Sequence, residues 1–537
     1  MKRIFLSALS SIFFTIALYA QTITYADITK GDVERMNFEI LGRSADNYLV
    51  YKEVKGNHRI SVYDYKMGLR EDIPITQLPE RDDLLDITFY NSGNHNYLLY
   101  QYQEGDVVFL KALGIEANGR ILNEPILLDT TMIAYKTDNK IYSIITSNDE
   151  SKLLAFKINK KDKSLFRFTT KLFDESLQPI GESKFSIPME YKGDYLTGYT
   201  LTNDGNYAFV KYHRQANGNI VDVALIEKTA TDDNYREQKL NINDLFLDDI
   251  KIMIDEMSGR YILSSFYSTT KRGDIDGLYV YGAEKNTGNV IFENTTVFND
   301  DLKKRAKGRG NSKNAFNNFF INNIIVHGDG SFTIASEALY NTNNWDRWGA
   351  WGGAGFWGGG FGWGGPGGWG GWGPGWGWGW GRWGGGFWPY SYYSPFFYRS
   401  YWWGAWGPGW GGSGWGGNSQ QFNAGNIAIV SFDSEGNKTW DNVIVKSQSE
   451  NNTDGSISYQ VLPSANSTQF LINNSGKISE LEIIGINDDG TVQKRQPIKA
   501  KDKRIDFMPK YGKQTEEKEI IIPYSYKSNI SFARVEL

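Results

Sequence analysis

The chain has 537 residues, a formal net charge of −5, four histidines and no cysteine. A mildly acidic balance argues against a general nucleic-acid binder. The lack of cysteine removes disulfides, thiolate metal sites, a thiol nucleophile and a lipidated N-terminal cysteine. An exported chain without disulfides must rely on its hydrophobic core, and this length suffices for one.

The opening "MKRIFLSALSSIFFTIALYAQ" places Lys2 and Arg3 before an apolar run from Ile4 to Leu18, with small Ala20 ahead of Gln21. This pattern reads as a secretory signal peptide over 1–20 rather than a membrane anchor. Its removal would take the charge from −5 to −7. No later run is long and aliphatic enough for a transmembrane helix. The expected destination is therefore the periplasm, the outer-membrane surface or the medium, with no lipid anchor.

From residue 22 onward the pattern is strand, tight turn, strand. "NYLVYKEV" (47–54), "NYLLYQY" (96–102), "YAFVKYH" (207–213) and "VDVALIE" (221–227) are short, rich in Val, Ile, Tyr and Phe, and roughly alternating. Hairpin signals separate them: "ANGR" (117–120), "NDGN" (203–206), "SGR" (258–260), "GDGS" (328–331), "SEGN" (434–437), "NSGK" (474–477) and "DDGT" (488–491). Gly and Asn suit such turns because the favoured hairpin geometries need positive φ. Helical periodicity is scarce, and "INDLFLDDI" (242–250) is its best example.

Corresponding second strands begin near 47, 96, 152, 206, 260, 331, 467 and 517. Units of about 50 to 60 residues with four short strands each predict an all-β fold, a single β-propeller of eight blades. Seven blades is the alternative count, and two stacked β-sandwich domains are the rival architecture. The last unit lacks a fourth strand, and "TITYADI" (22–28) could supply it, closing the ring. The chain then divides into a signal peptide (1–20), a first propeller part (21–344), an insertion (345–417) and a last propeller part (418–537).

"TNDGNYAFVKY" (202–212) and "SNDESKLLAF" (147–156) resemble the "SPDG…IAF" repeat of TolB-type exported propellers, without its proline. The combination of export signal, Gly-turn hairpins and long blades is similar to envelope propellers of Bacteroidetes. The resemblance implies a binding or scaffolding role and names no ligand.

Residues 345–417 hold 17 of the 18 tryptophans and 30 of the 59 glycines, with no Val, Ile, Leu, Met, Lys or Glu. A packed core needs interlocking aliphatic side chains, so this segment reads as a low-complexity, disordered insertion rather than a domain. It falls between the second and third strands of one blade, on the same face as the preceding blade connection, "KKRAKGRG" (303–310). The candidate binding residues are Trp363, Trp369, Trp372, Trp376, Trp378, Trp380, Trp383, Trp388, Tyr392, Tyr393, Trp402 and Trp403. Lys303, Lys304, Arg305, Lys307 and Arg309 in the adjacent basic loop join them. Indole faces stack on sugars and settle at membrane interfaces, and cations attract phosphate or uronate. The expected partner is an envelope polysaccharide, lipopolysaccharide or outer-membrane protein. Self-association through the aromatic loop is an alternative, and a loop with no specific partner is the bland reading.

No enzymatic constellation stands out. His58, His95, His213 and His327 show no metal-ligand spacing, and His327 reads as a turn residue in "VHGDGS". No nucleophile elbow, phosphate-binding loop or EF-hand appears, and no metal or cofactor is expected. Carboxylate pairs such as Asp82 with Asp83 or Asp248 with Asp249 keep a polysaccharide-active propeller enzyme, a glycosidase or lyase, as the rival function.

Overall fold

A computed structural model describes residues 21–307, 314–341 and 421–537, less positions 30–31, 33–35, 94, 138–139, 161, 163, 216–217, 231, 452–454, 465–466, 477 and 528. The signal segment and the Gly/Trp insertion lie outside the described residues.

The described strands form eight antiparallel blades of four principal strands. Their first, inner strands are Asn37–Ser44, Leu84–Ser92, Ser143–Thr146, Asp194–Leu201, Phe246–Asp255, Phe319–Val326, Tyr459–Ser464 and Ile505–Phe507. Blades four and five touch through one bridge, Ile220 to Leu247. Both faces of each blade are apolar, because each is packed between two others. Hydrophobic clusters accordingly fall between consecutive blades. Leu49 and Tyr51 of blade one meet Leu98 and Tyr100 of blade two, and Leu471 and Ile483 of blade seven meet Ile520 and Ile522 of blade eight. Phe38 and Tyr48 of blade one meet Ile521 and Phe532 of blade eight, which completes the circle. A sandwich would bury one core between two sheets, and seven blades would leave one sheet over. The structure is an eight-bladed propeller.

The ring closes as the sequence predicts. Thr22–Tyr25 pairs with Asn529–Glu536 as the outer strand of blade eight, from Thr22 opposite Glu536 to Tyr25 opposite Ala533. The following connection is pinned to blade one by a buried ion pair, Lys52 Nζ to Asp32 Oδ1 at 2.5 Å, with Tyr63 OH at 2.7 Å. Burial pushes the Lys52 ammonium below its ordinary pKa, and Asp32 works against that.

One expected element differs. "INDLFLDDI" forms no helix: Phe246–Asp255 is the inner strand of blade five. A β-bulge between Asp248 and Lys251 inserts one extra residue into the ladder. Apolar Leu247, Ile250, Ile252 and Ile254 therefore start three apart and continue two apart, which imitates a helical period. Bulges also interrupt the inner strands of blades one, two, four and six.

The antiparallel order assigns every loop to a face. Turns joining strands one to two and three to four emerge on one face, called lower here. Turns joining strands two to three, and connections between blades, emerge on the upper face. Six of the seven predicted glycine turns are lower turns, and their glycines (119, 205, 259, 330, 436 and 490) have φ from +64° to +89°. The seventh, Gly476, lies in an upper turn and is not among the positive-φ glycines.

Candidate ligand-binding face

In the chain the insertion falls between two strands whose described ends meet at the upper face of blade six. Second strand Phe332–Asn341 leads into it and third strand Gln421–Phe432 leads out. Both strands outrun the blade. A bulge between Glu337 and Leu339 precedes a tip in which Leu339 pairs with Ala424, Tyr340 with Asn423 and Asn341 with Phe422. A further short strand, Gln448–Asn451, pairs with Gln421–Ala424 and makes the tip three-stranded. Leu339, Ala424, Phe320 and Ile457 form a small apolar cluster beneath it. The described strands that flank the insertion are thus cross-strand neighbours on a braced stalk.

A polar latch sits at the stalk's base. Glu337 is fully buried and pairs with Lys446 Nζ at 2.6 Å. Its other oxygen accepts Ser458 Oγ at 2.5 Å and Asn322 Nδ2 at 3.2 Å. Lys446 also donates to Gln448 Oε1 at 2.7 Å, on the bracing strand. Burial lowers the Lys446 pKa, and the Glu337 charge opposes that shift. Such a pair costs much to break, because the survivor would be a charge without solvent.

The basic run is not the loop that the sequence reading expects. Asp300–Lys307 is an α-helix in the connection from blade five to blade six. Asn299 caps it, its Oδ1 accepting Leu302 N at 2.8 Å. Asp300 and Asp301 occupy the first turn and Lys304, Arg305 and Lys307 the last, matching the helix dipole. Leu302 and Ala306, one turn apart, are buried. Asn426, on the strand leading out of the insertion, donates to the carbonyls of Ala306 at 2.8 Å and Arg305 at 3.3 Å. This contact joins the basic helix end to the insertion-bearing blade, as the predicted shared face requires.

The candidate cations have different roles. Arg305 bonds Asp301 Oδ2 at 2.7 Å and also Asp441 on the outer strand. Partial burial opposes its charge, but Asp441 and Asp301 outweigh that and raise its pKa. Arg305 therefore clamps the helix to the blade. Lys304 is exposed, and Lys303 and Lys307 are half-buried. Arg309 and the twelve candidate aromatics, from Trp363 to Trp403, lie outside the described residues.

The stalk and latch were missed by sequence reasoning, since Glu337 and Lys446 are 109 positions apart in number and only strand pairing joins them. The helix had a readable signal: Asn, two aspartates, then four cations within nine residues. His327 is a turn residue as expected: its carbonyl accepts Gly330 N at 3.0 Å, and its Nε2 lies 2.9 Å from Thr333 Oγ1. Elsewhere on the upper face, His213 Nδ1 lies 2.9 Å from buried Asp194 Oδ1, beside the exposed Tyr191 ring. Asp83 faces Lys136 at 3.9 Å, and Asp248 is buried at the blade-five bulge. Among the described residues no three His, Asp or Glu side chains gather as a metal site, and no helix is long and apolar enough to cross a membrane.

No protein-family model matches the sequence, and no curated protein matches it. Solved structures do. The WD40 domain of SCAP from fission yeast is similar over 96% of this chain and 98% of its own, at 9% identity and a TM-score of 0.39. A prolyl endopeptidase is similar over 93% of this chain and 55% of its own, at 7% identity and a TM-score of 0.40. Protein lmo1340 from Listeria monocytogenes EGD-e is similar over 82% and 92%, at 8% identity and a TM-score of 0.34. These likenesses bear on neither ligand nor reaction. The propeller assignment rests on strand order and the inter-blade cores, and the TolB-type resemblance reaches no further than the turn-and-strand motif.

Proposed function

We propose that the protein is an exported, non-enzymatic binding platform. Its rigid propeller presents the Gly/Trp insertion, with the neighbouring basic helix end, to an envelope component: a polysaccharide, lipopolysaccharide or outer-membrane protein. The observation that supports this reading most is the stalk. Three paired strands and a buried ion pair brace the two strands that flank the insertion side by side on one face. An aromatic segment tethered in this way can engage a partner without disturbing the core.

Co-sedimentation of the mature protein with cell envelopes tests the proposal. Wild type should sediment and the 345–417 deletion should stay in solution. Serine at the insertion tryptophans should reproduce the deletion, while alanine at Lys303, Lys304 and Lys307 should weaken binding mainly at low salt. Equal sedimentation of wild type and deletion would remove the insertion from the mechanism.

A further inference from the structure

We propose that the connection between blades seven and eight is a second binding site on the upper face, for a linear acidic polysaccharide, and that it works without the insertion. Residues 494–504 read "KRQPIKAKDKR". Lys494, Arg495, Lys499, Lys501, Lys503 and Arg504 are all exposed, and Asp502 is the only acidic residue among them.

The strap is held firmly. Ile498 and Ala500 are buried in the core between blades seven and eight. Ile498 and Lys499 pair with Leu481 and Glu480, Arg495 N donates to Ile483 O at 3.1 Å, and Ala500 N donates to Ser479 O at 2.9 Å. Cations on a fixed backbone lose less entropy when they meet a ligand.

Their arrangement leaves an excess of positive charge. Asp502 is committed to Arg504, which bonds both of its oxygens, at 2.9 and 2.6 Å, and holds the carboxyl far below its ordinary pKa. Lys501 Nζ lies 4.3 Å from the Tyr25 ring centre. Arg504 and Lys527 both lie against the Tyr526 ring, at 5.1 and 5.2 Å. Among the described residues Lys494, Arg495, Lys501, Lys503 and Lys527 form no ion pair within 4.0 Å. Cations gathered in this way repel one another unless an anion joins them.

The chemistry favours a polyuronate. Single-stranded nucleic acid needs open ring faces for stacking, whereas Tyr25 and Tyr526 are half-buried and carry cations. A bilayer needs several apolar anchors, and residues 494–504 include no exposed large apolar side chain. A chain of sugar carboxylates needs only regularly placed cations.

The test uses the full mature chain in affinity electrophoresis through gels containing alginate, a linear polyuronate. Wild type should be retarded at low salt, and K499A/K501A/K503A should lose about tenfold in apparent affinity, the expected scale for removing several anion contacts. The melting curve of the triple variant should match wild type, because all three side chains are exposed. The 345–417 deletion should be retarded like wild type, whatever it does in envelope sedimentation. Absence of retardation, an unaffected triple variant, or loss of retardation in the deletion would each overturn the proposal. Stronger binding to single-stranded DNA or anionic phospholipid vesicles than to alginate would also overturn it.

Discussion

The two faces of the propeller are built differently from the same strands. Most lower turns are short, and many are closed by an aspartate. Asp64 Oδ1 accepts the amides of Lys66 and Gly68, Asp329 Oδ1 that of Ser331, and Asp489 Oδ1 that of Thr491. Hydrogen bonds from Ser331 and Thr491 hold the carboxyls of Asp329 and Asp489 below their ordinary pKa. The upper face has the longer connections and many of the cations: Lys55, Lys271, Arg272, the end of helix Asp300–Lys307, the 494–504 strap and Lys527. Turn chemistry thus makes the lower face acidic, while the upper connections are free to carry positive charge.

Substitutions can break this contrast. The largest expected effect is at an upper site that does not tolerate change, the buried pair of Glu337 and Lys446. Lys446→Ala strands Glu337 in the interior and should cost about 3–5 kcal/mol, read by urea denaturation. A smaller loss near wild-type scatter would mean that Ser458 and Asn322 suffice to hold the carboxylate.

Gly490→Ala on the lower face comes next. Its φ is +84°, and an added Cβ would approach Trp440 Cδ2 to 2.8 Å. The positive φ alone should cost about 1–2 kcal/mol. Gly476→Ala in the upper turn has its nearest neighbour, Ile478 O, at 3.8 Å and should stay within about 0.5 kcal/mol of wild type. Equal losses at the two glycines would erase the distinction between the faces.

A pH series gives a smaller, directional effect. Asp329 and Asp489 have folded pKa values below their unfolded ones. Their contribution is therefore fully present above the ordinary aspartate pKa of about 3.9 and is lost as pH falls from there through the lower folded values. The melting temperature of D329N/D489N should fall less steeply than that of wild type between pH 5 and about 3, since asparagine still accepts the amides without titrating. Parallel curves would show that other groups govern acid unfolding. Least affected should be the 345–417 deletion, whose thermal transition should overlay that of wild type.

The repeat, the ring closure and the turn glycines were legible because each rests on a local rule: alternation, positive φ, and a missing fourth strand matched by Thr22–Tyr25. The bulge at Asp248–Lys251 was not, since two adjacent aspartates shifted the apolar spacing away from period two. The basic helix was overlooked because eight residues carry only Leu302 and Ala306 as an apolar stripe. The stalk and latch depend on pairing between segments separated by the whole insertion, and no local pattern announces that. The charges of the 494–504 strap were plain in the sequence, but their gathering around Tyr25 and Tyr526 needed both chain ends in one blade.

That closure also orders events in time. Thr22 and Glu536 stand 514 positions apart, yet Thr22 Oγ1 donates to Glu536 Oε2 at 2.6 Å. Thr22–Tyr25 must wait for Asn529–Glu536, made more than 500 residues later, before blade eight is complete. Until then blade one lacks the neighbour that covers Phe38 and Tyr48, and the chain presents apolar surface and open strand edges at both ends. Sealing of the circle is a contact of very long range and should be a late, slow phase of refolding. Between synthesis and that moment, the incomplete ring is the species most in need of protection from aggregation.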